Sequence, residues 1–290
     1  MAGSRQGSGA LRAIFVTLVA VAALAGAAVG IGRMLVERQL DGEIRELLES
    51  SGDTERPLVT ERDLASLPGP VQRWLRWASI LGTRLAATAH IRQRGDFRLA
   101  EERGWIPFSA EQTFTTEPPG FVWRVRMTMA KVLVIAGRDR YVRGDASIRM
   151  RILWLVPVAG SSGTGLDRGA LARWLGEIVW FPTAALSERV AWEELDRSSA
   201  RATISYAGAT ASGIFTFDAE GRPVRFESRR YNDARKRDED FSVSMSEHGS
   251  FAGVRIPTAG NGVWHYEKGD FEFIRWHIDD VALDESGNRR

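Results

Sequence analysis

The sequence predicts a mainly β protein, a curved antiparallel sheet or half-barrel covered by a few helices and preceded by one N-terminal transmembrane helix. Three observations predict it. Apolar and polar residues alternate with period two in two long stretches between Leu85 and Val281. Strands follow strands without an intervening helix in each stretch, which disfavours a doubly wound parallel sheet. Residues 13–32 form a run of twenty uncharged residues.

That run is the first element. At about 1.5 Å per residue, a helix of this length spans roughly 30 Å, the thickness of a bilayer's hydrocarbon core. Arg5 and Arg12 make residues 1–12 a basic flank, and Ala23-Leu24-Ala25 or Ala25-Gly26-Ala27 would suit signal cleavage. The apolar pattern instead runs on through Val29 and Ile31 into Met34, Leu35, Leu40, Ile44 and Leu47 at helical spacing, which favours an uncleaved anchor. Residues 33–56 read as a juxtamembrane helix and a linker, the linker running from Ser50 to Pro57. Basic residues flank both ends of the span almost equally, and the signal-like layout puts the N-terminus inside. The expected protein is single-pass in the bacterial cytoplasmic membrane. Residues 57–284 then form one extracytoplasmic β-rich domain, and residues 285–290 a tail.

Thr60-Glu61-Arg62-Asp63 is a capping-box-like helix start. Pro68 and Pro70 open a second helix with Val71, Trp74, Leu75 and Ala78 on one face. Strands follow around Leu85–Arg92, Phe108–Phe114, Trp123–Met127, Val132–Ile135 and Ile148–Trp154. Pro118-Pro119-Gly120 and Gly137-Arg138-Asp139 are expected turns. Gly160–Gly165 reads as a loop with Asp167 as N-cap of a helix whose apolar face is Leu171, Trp174, Leu175, Ile178 and Val179. Pro182 stops that helix. Six more strands run from Ala200 to Val281, the last two joined at Lys268-Gly269-Asp270.

Several motifs in the same order carry a resemblance. Leu67-Pro68-Gly69-Pro70-Val71-Gln72-Arg73-Trp74-Leu75-Arg76, Ala110-Glu111-Gln112, Pro119-Gly120-Phe121-Val122-Trp123, Gly137-Arg138-Asp139-Arg140-Tyr141, Trp180-Phe181-Pro182-Thr183-Ala184 and Gly262-Val263-Trp264 resemble a bacterial family known only as a domain of unknown function. The match covers about Leu67 to Asp284, and that family lends no catalytic residue. The layout is also similar to periplasmic lipoprotein carriers of the LolA type. That second likeness implies a curved sheet wrapping helices over an apolar cavity.

The chemistry of the chain is sparse. There is no cysteine, which excludes disulfides, thiolate metal sites and cysteine nucleophiles. Gly163-Thr164-Gly165 lacks the βαβ context of a dinucleotide loop, and no serine sits in G-x-S-x-G. With a hairpin turning at Gly269-Asp270, His265 faces Ile274 and His277 lies about 10 Å further on, too far to share a metal. No metal and no cofactor are expected.

Two sets of residues stand out. Arg-x-Arg recurs as Arg92/Arg94, Arg124/Arg126, Arg138/Arg140 and Arg149/Arg151. Residues two apart on a strand share a face, so neighbouring strands would build an arginine field. Residues 84–151 hold thirteen basic against seven acidic side chains, while 152–290 hold seventeen against twenty-one. The expected partners are therefore acids of 152–290, or anionic lipid headgroups. Nucleic acid is not expected at an exported site. Trp123, Trp154, Trp174, Trp180 and Phe181 are the candidate lining of a ligand cavity, with an ordinary core as the alternative. The resulting expectation is a non-enzymatic binder or carrier of a hydrophobic or lipid-like ligand in the cell envelope, with the membrane as partner. An envelope structural or interaction module without ligand is the alternative, and an unrecognised hydrolase the third.

Overall fold

The computed structural model describes residues 5–51, 56–129 and 133–284; the expected C-terminal tail, Val132 and the middle of the linker lie outside them. Helix α1 (Arg5–Glu49) is one unbroken helix of 45 residues, so the apolar span and the juxtamembrane helix are a single rod. Nothing in 13–49 breaks a helix, and the rod has two environments. Ile14, Phe15, Val16, Leu18, Val21 and Leu24 stay exposed. Leu40 and Leu47 are buried against Val122 and Val142 of the sheet described below.

The capping box forms at α2 (Glu61–Ala65), where the Asp63 carboxylate accepts from the Thr60 backbone N–H at 2.7 Å. Helix α3 (Gly69–Trp77) buries Val71, Trp74, Leu75 and the following Ala78 completely, the face that helical spacing marks. Trp74 packs near-parallel to both Phe215 and Phe217, at centroid distances of 6.0 and 5.6 Å, with those two rings 6.3 Å from each other. Trp74→Ala is expected to cost about 3–5 kcal/mol, read as a lower urea midpoint at unchanged slope.

Six strands follow as a meander: β1 (Thr88–Phe97), β2 (Ile106–Thr115), β3 (Gly120–Met129), β4 (Leu133–Val142), β5 (Asp145–Ile152) and β6 (Val156–Ser162). Helix α4 (Thr164–Glu177) and two short 3-10 turns then lead to a second meander. It comprises β7 (Val190–Glu194), β8 (Ser199–Tyr206), β9 (Ala209–Phe217), β10 (Pro223–Asn232), β11 (Arg237–Phe251), β12 (Val254–Tyr266) and β13 (Gly269–Leu283). The first and last strands pair antiparallel, with Ile91 opposite Val281, so the two meanders join into one sheet ordered β6-β5-β4-β3-β2-β1-β13-β12-β11-β10-β9-β8-β7. The sheet curls into an antiparallel half-barrel. Helix α4 packs inside it against both halves, and the second half of α1 lies on its outer face across β2, β3 and β4. Gly165 and Gly169 approach Tyr231, and Gly176 approaches Phe226, so closely that a Cβ at any of them would crowd the ring or backbone of β10.

Four expectations are corrected. Gly137-Arg138-Asp139 is the interior of β4, not a turn; Gly137 there faces the Met150 side chain at a distance no Cβ could occupy. Gly160–Gly165 is not one loop: β6 runs to Ser162 and α4 starts at Thr164. The N-cap is accordingly Gly163, while Asp167 lies in the first turn and accepts from Ala146 N–H at 2.8 Å. The last hairpin turns at 267–268, pairing His265 with Asp270 and placing Gly262, not His265, opposite Ile274. Strand β7 has too few alternating residues to be distinguished from a loop by pattern.

Candidate functional site

The half-barrel encloses a cavity of about 560 Å³ between α4 and the concave sheet face. Period-two alternation aims its walls. From the first meander come Trp123 and Met127 of β3, Ile135 of β4, and Ile148, Met150 and Ile152 of β5. The second meander adds Phe226 of β10, Val243 and Met245 of β11, and Ile274 and Trp276 of β13, and Val179 and Trp180 complete the wall after α4. Trp180 meets Trp276 edge-on at 5.2 Å.

The cavity has one polar pole. Arg173, on α4, donates to Asp139 of β4 at 2.7 Å and to Glu177 one turn later at 2.8 Å. Gln112 of β2 donates to the other Glu177 oxygen at 2.9 Å, and Gln93 of β1 donates to Gln112 at 3.1 Å. The Arg173 guanidinium also lies 4.9 Å from the ring centroids of Phe121 and Trp123. Burial works against its charge, but Glu177 and Asp139 outweigh it and raise its pKa. Burial pushes the Asp139 carboxyl up despite the attraction of Arg173. Arg230 of β10 faces the same cavity with its guanidinium 5.2 Å from the Phe241 ring, and burial lowers its pKa to about 10. Asp139 Oδ1, Arg230 Nε, Trp123 Nε1 and Trp180 Nε1 are buried atoms of this lining with no hydrogen-bond partner among the described residues. Three of the four are donors.

The expected lining set divides. Trp123 and Trp180 face the cavity. Trp174 and Phe181 are buried in the core, Trp174 donating to Thr115 O at 3.0 Å. Trp154 leaves the strand at φ +61° and packs under Arg33 of α1. The polar pole is not visible in the alternation because Gly137-Arg138-Asp139 has the composition of a turn. With Arg138 and Arg140 pointing outward on a strand, alternation alone turns Asp139 inward beside Ile135 and Tyr141.

The four Arg-x-Arg pairs do share the outer face, where Arg124, Arg138 and Arg149 stand in cross-strand register. Their main acidic partners are not in 152–290 but on α1. Glu37 pairs with Arg124 at 2.8 Å and Arg126 at 2.6 Å, Glu43 with Arg138 at 2.7 Å, and Glu46 with Arg140 at 2.7 Å. Only Arg92 and Arg94 find theirs in the later region, at Asp280 and Asp279. Among the described residues, Arg149 and Arg151 form no ion pair. Burial opposes the Glu37 charge, yet Arg126 and Arg124 hold its pKa below the ordinary carboxylate value. Stability from Glu37 is therefore present above its unfolded value and lost as pH falls through the lower folded one. A chain starting at Arg33 is expected to release residues 33–49 to protease in that acid window, and Glu37→Gln to release them at neutral pH as well.

One further cluster has the order of a catalytic triad. Ser242 Oγ lies 2.8 Å from His265 Nε2, and His265 Nδ1 lies 2.7 Å from Asp270. It sits on the outer face, however. Ser242 is 2% exposed, and the adjoining strand N–H groups are committed to the ladder, so neither an accessible nucleophile nor an oxyanion donor is offered.

A family model described as a family of unknown function (DUF6544) matches residues 57–276, and the chain belongs to that family. No curated protein matches the chain. Similar solved structures include a LolA superfamily protein from Nitrosomonas europaea, at 11% identity and a TM-score of 0.45, covering 75% of this chain and 95% of that one. A DUF1329 family protein from Desulfovibrio piger matches at 10% identity and a TM-score of 0.37, covering 76% of this chain and 94% of that one.

Proposed function

We propose that this member of the DUF6544 family binds an amphiphile, a fatty-acid-like or lipid-like molecule with a long apolar body and one oxygen-rich end, as a carrier held at the membrane by α1. The observation that carries the reading is the cavity. Its volume lies within the 300–1,000 Å³ usual for small-molecule sites, and its walls are apolar apart from one pole. Unpartnered Arg230 Nε and Trp123 Nε1 beside Arg173, and Trp180 Nε1 in the same lining, offer donors to carboxylate, ester or phosphate oxygens. Burying such donors without an acceptor costs roughly 1–3 kcal/mol each, and a ligand's oxygens would recover this.

The exposed apolar residues of α1 support its crossing the cytoplasmic membrane, and the basic flank followed by a signal-like apolar run favours the domain lying outside. The arginine field then serves first to hold α1 on the sheet. Contact with anionic headgroups falls to Arg149 and Arg151.

A fluorescent fatty-acid analogue titrated into a chain starting at Arg33 tests the reading. Binding should change tryptophan emission through Trp123 and Trp180, and unlabelled fatty acid should displace the probe. Absence of binding at high micromolar probe, with the domain folded by circular dichroism, would leave the interaction-module alternative.

A further inference from the structure

We propose that the β5–β6 hairpin docks in the interfacial layer of the membrane that α1 enters, so that the cavity opens toward the bilayer. This rests on the reading of α1 as a membrane anchor.

The direction of α1 over the sheet is the first ground. Glu37 pairs with Arg126 near the end of β3, and Leu47 packs against Gly120 at its beginning. The apolar segment before Arg33 therefore projects from the sheet end where β3 and β5 finish and β6 starts. The hairpin at that end meets the helix where the apolar run stops. Leu155 packs against Gly32 closely enough to leave no room for a Cβ, and Arg33 sits over the Trp154 ring at 5.5 Å.

The hairpin's composition is the second ground. Leu155, Val156 and Val158 are large apolar residues left exposed, at 39%, 56% and 49%. In an aqueous environment they gain nothing. Beside a membrane-level helix they form, with Trp154, Arg151 and Arg33, the aromatic, aliphatic and basic mixture that suits the headgroup boundary. The depth is limited. β6 ends the sheet, and among the described residues its outer backbone groups have no strand partner, which hydrocarbon would not tolerate but the hydrated interface does.

The third ground is the cavity rim. Val158 is both exposed and part of the lining, and so is Leu99 in the β1–β2 connection at the same sheet end. An amphiphile leaving the bilayer would meet apolar side chains continuously from the hairpin to the interior.

The chain has no cysteine, so single nitroxide labels can be placed at Val156→Cys and, at the opposite sheet end, Glu220→Cys. The full chain is reconstituted in phosphatidylcholine–phosphatidylglycerol vesicles, and collision rates with oxygen and with a water-soluble nickel chelate are measured. The label at 156 is expected to be at least tenfold more protected from the chelate than the label at 220, at headgroup to upper-acyl depth. Equal chelate access at both positions would overturn the proposal, whether or not the fatty-acid probe binds. Protection at 156 without probe binding would uphold the docking and reject the carrier reading. As a second readout, Val156→Asp should slow probe transfer from protein to vesicles at least tenfold and leave its affinity unchanged. An unchanged transfer rate would contradict the open route to the bilayer.

Discussion

Replacing Arg173 by alanine is expected to lower folding stability by about 3–5 kcal/mol. The guanidinium is the shared partner of Asp139 at 2.7 Å and Glu177 at 2.8 Å. Its removal leaves two buried carboxylates without the cation that bonds both, only Arg230 remaining near them, and the undercompensated charge outweighs the lost contacts. The effect should depend on pH. Burial already raises the Asp139 pKa in the intact protein, and loss of Arg173 raises it further. A carboxyl with a raised folded value adds stability below its unfolded value and loses it as pH rises through the folded one. The deficit of the variant should therefore shrink toward acid. Urea denaturation at neutral and mildly acidic pH measures both parts. A loss under about 1 kcal/mol at neutral pH, typical of exposed ion pairs, would show that the pole is not the buried cluster described.

The second large effect concerns binding. Ile148→Trp combined with Val243→Trp places two indoles in the cavity from opposite halves of the sheet, at positions that are only half-buried. The fold should persist, since α3 and its aromatic neighbours are untouched. Affinity for a fatty-acid probe should fall at least tenfold, equivalent to about 1.4 kcal/mol. Unchanged affinity would move the ligand out of this cavity.

Much of this architecture is legible in the residues. Alternation around Trp123-Val125-Met127 and Ile148-Met150-Ile152 marks strands because one face must be apolar and the other not. The helical faces of α3 and α4 follow from 3.6-residue spacing for the same reason. Alternation also places the arginine pairs on one face. It cannot identify what covers them, because the acids that do so lie on α1, some ninety residues away in sequence, and charge counts by region missed that pairing.

The polar pole was hidden for a different reason. Gly137 and Asp139 are turn formers by local chemistry, and it is the ladder on both sides, with Val125 and Met150 opposite Gly137 and Trp123 and Ile148 opposite Asp139, that makes them strand. A charged residue at an inward position was the available signal. Trp154 misled in the opposite sense. It continues the β5 alternation, yet the chain turns at Leu153, where φ is +49°, and the ring goes to α1.

Occupancy of the cavity is read directly by native mass spectrometry of the full chain extracted in mild detergent from its own membrane. A bound mass matching an acyl-chain amphiphile is expected on the wild-type chain, identified after release by fragmentation, and is expected to be lost from the Ile148→Trp/Val243→Trp chain. A wild-type chain carrying no lipid mass, or a chain carrying the same lipid with its cavity filled, would contradict the carrier reading.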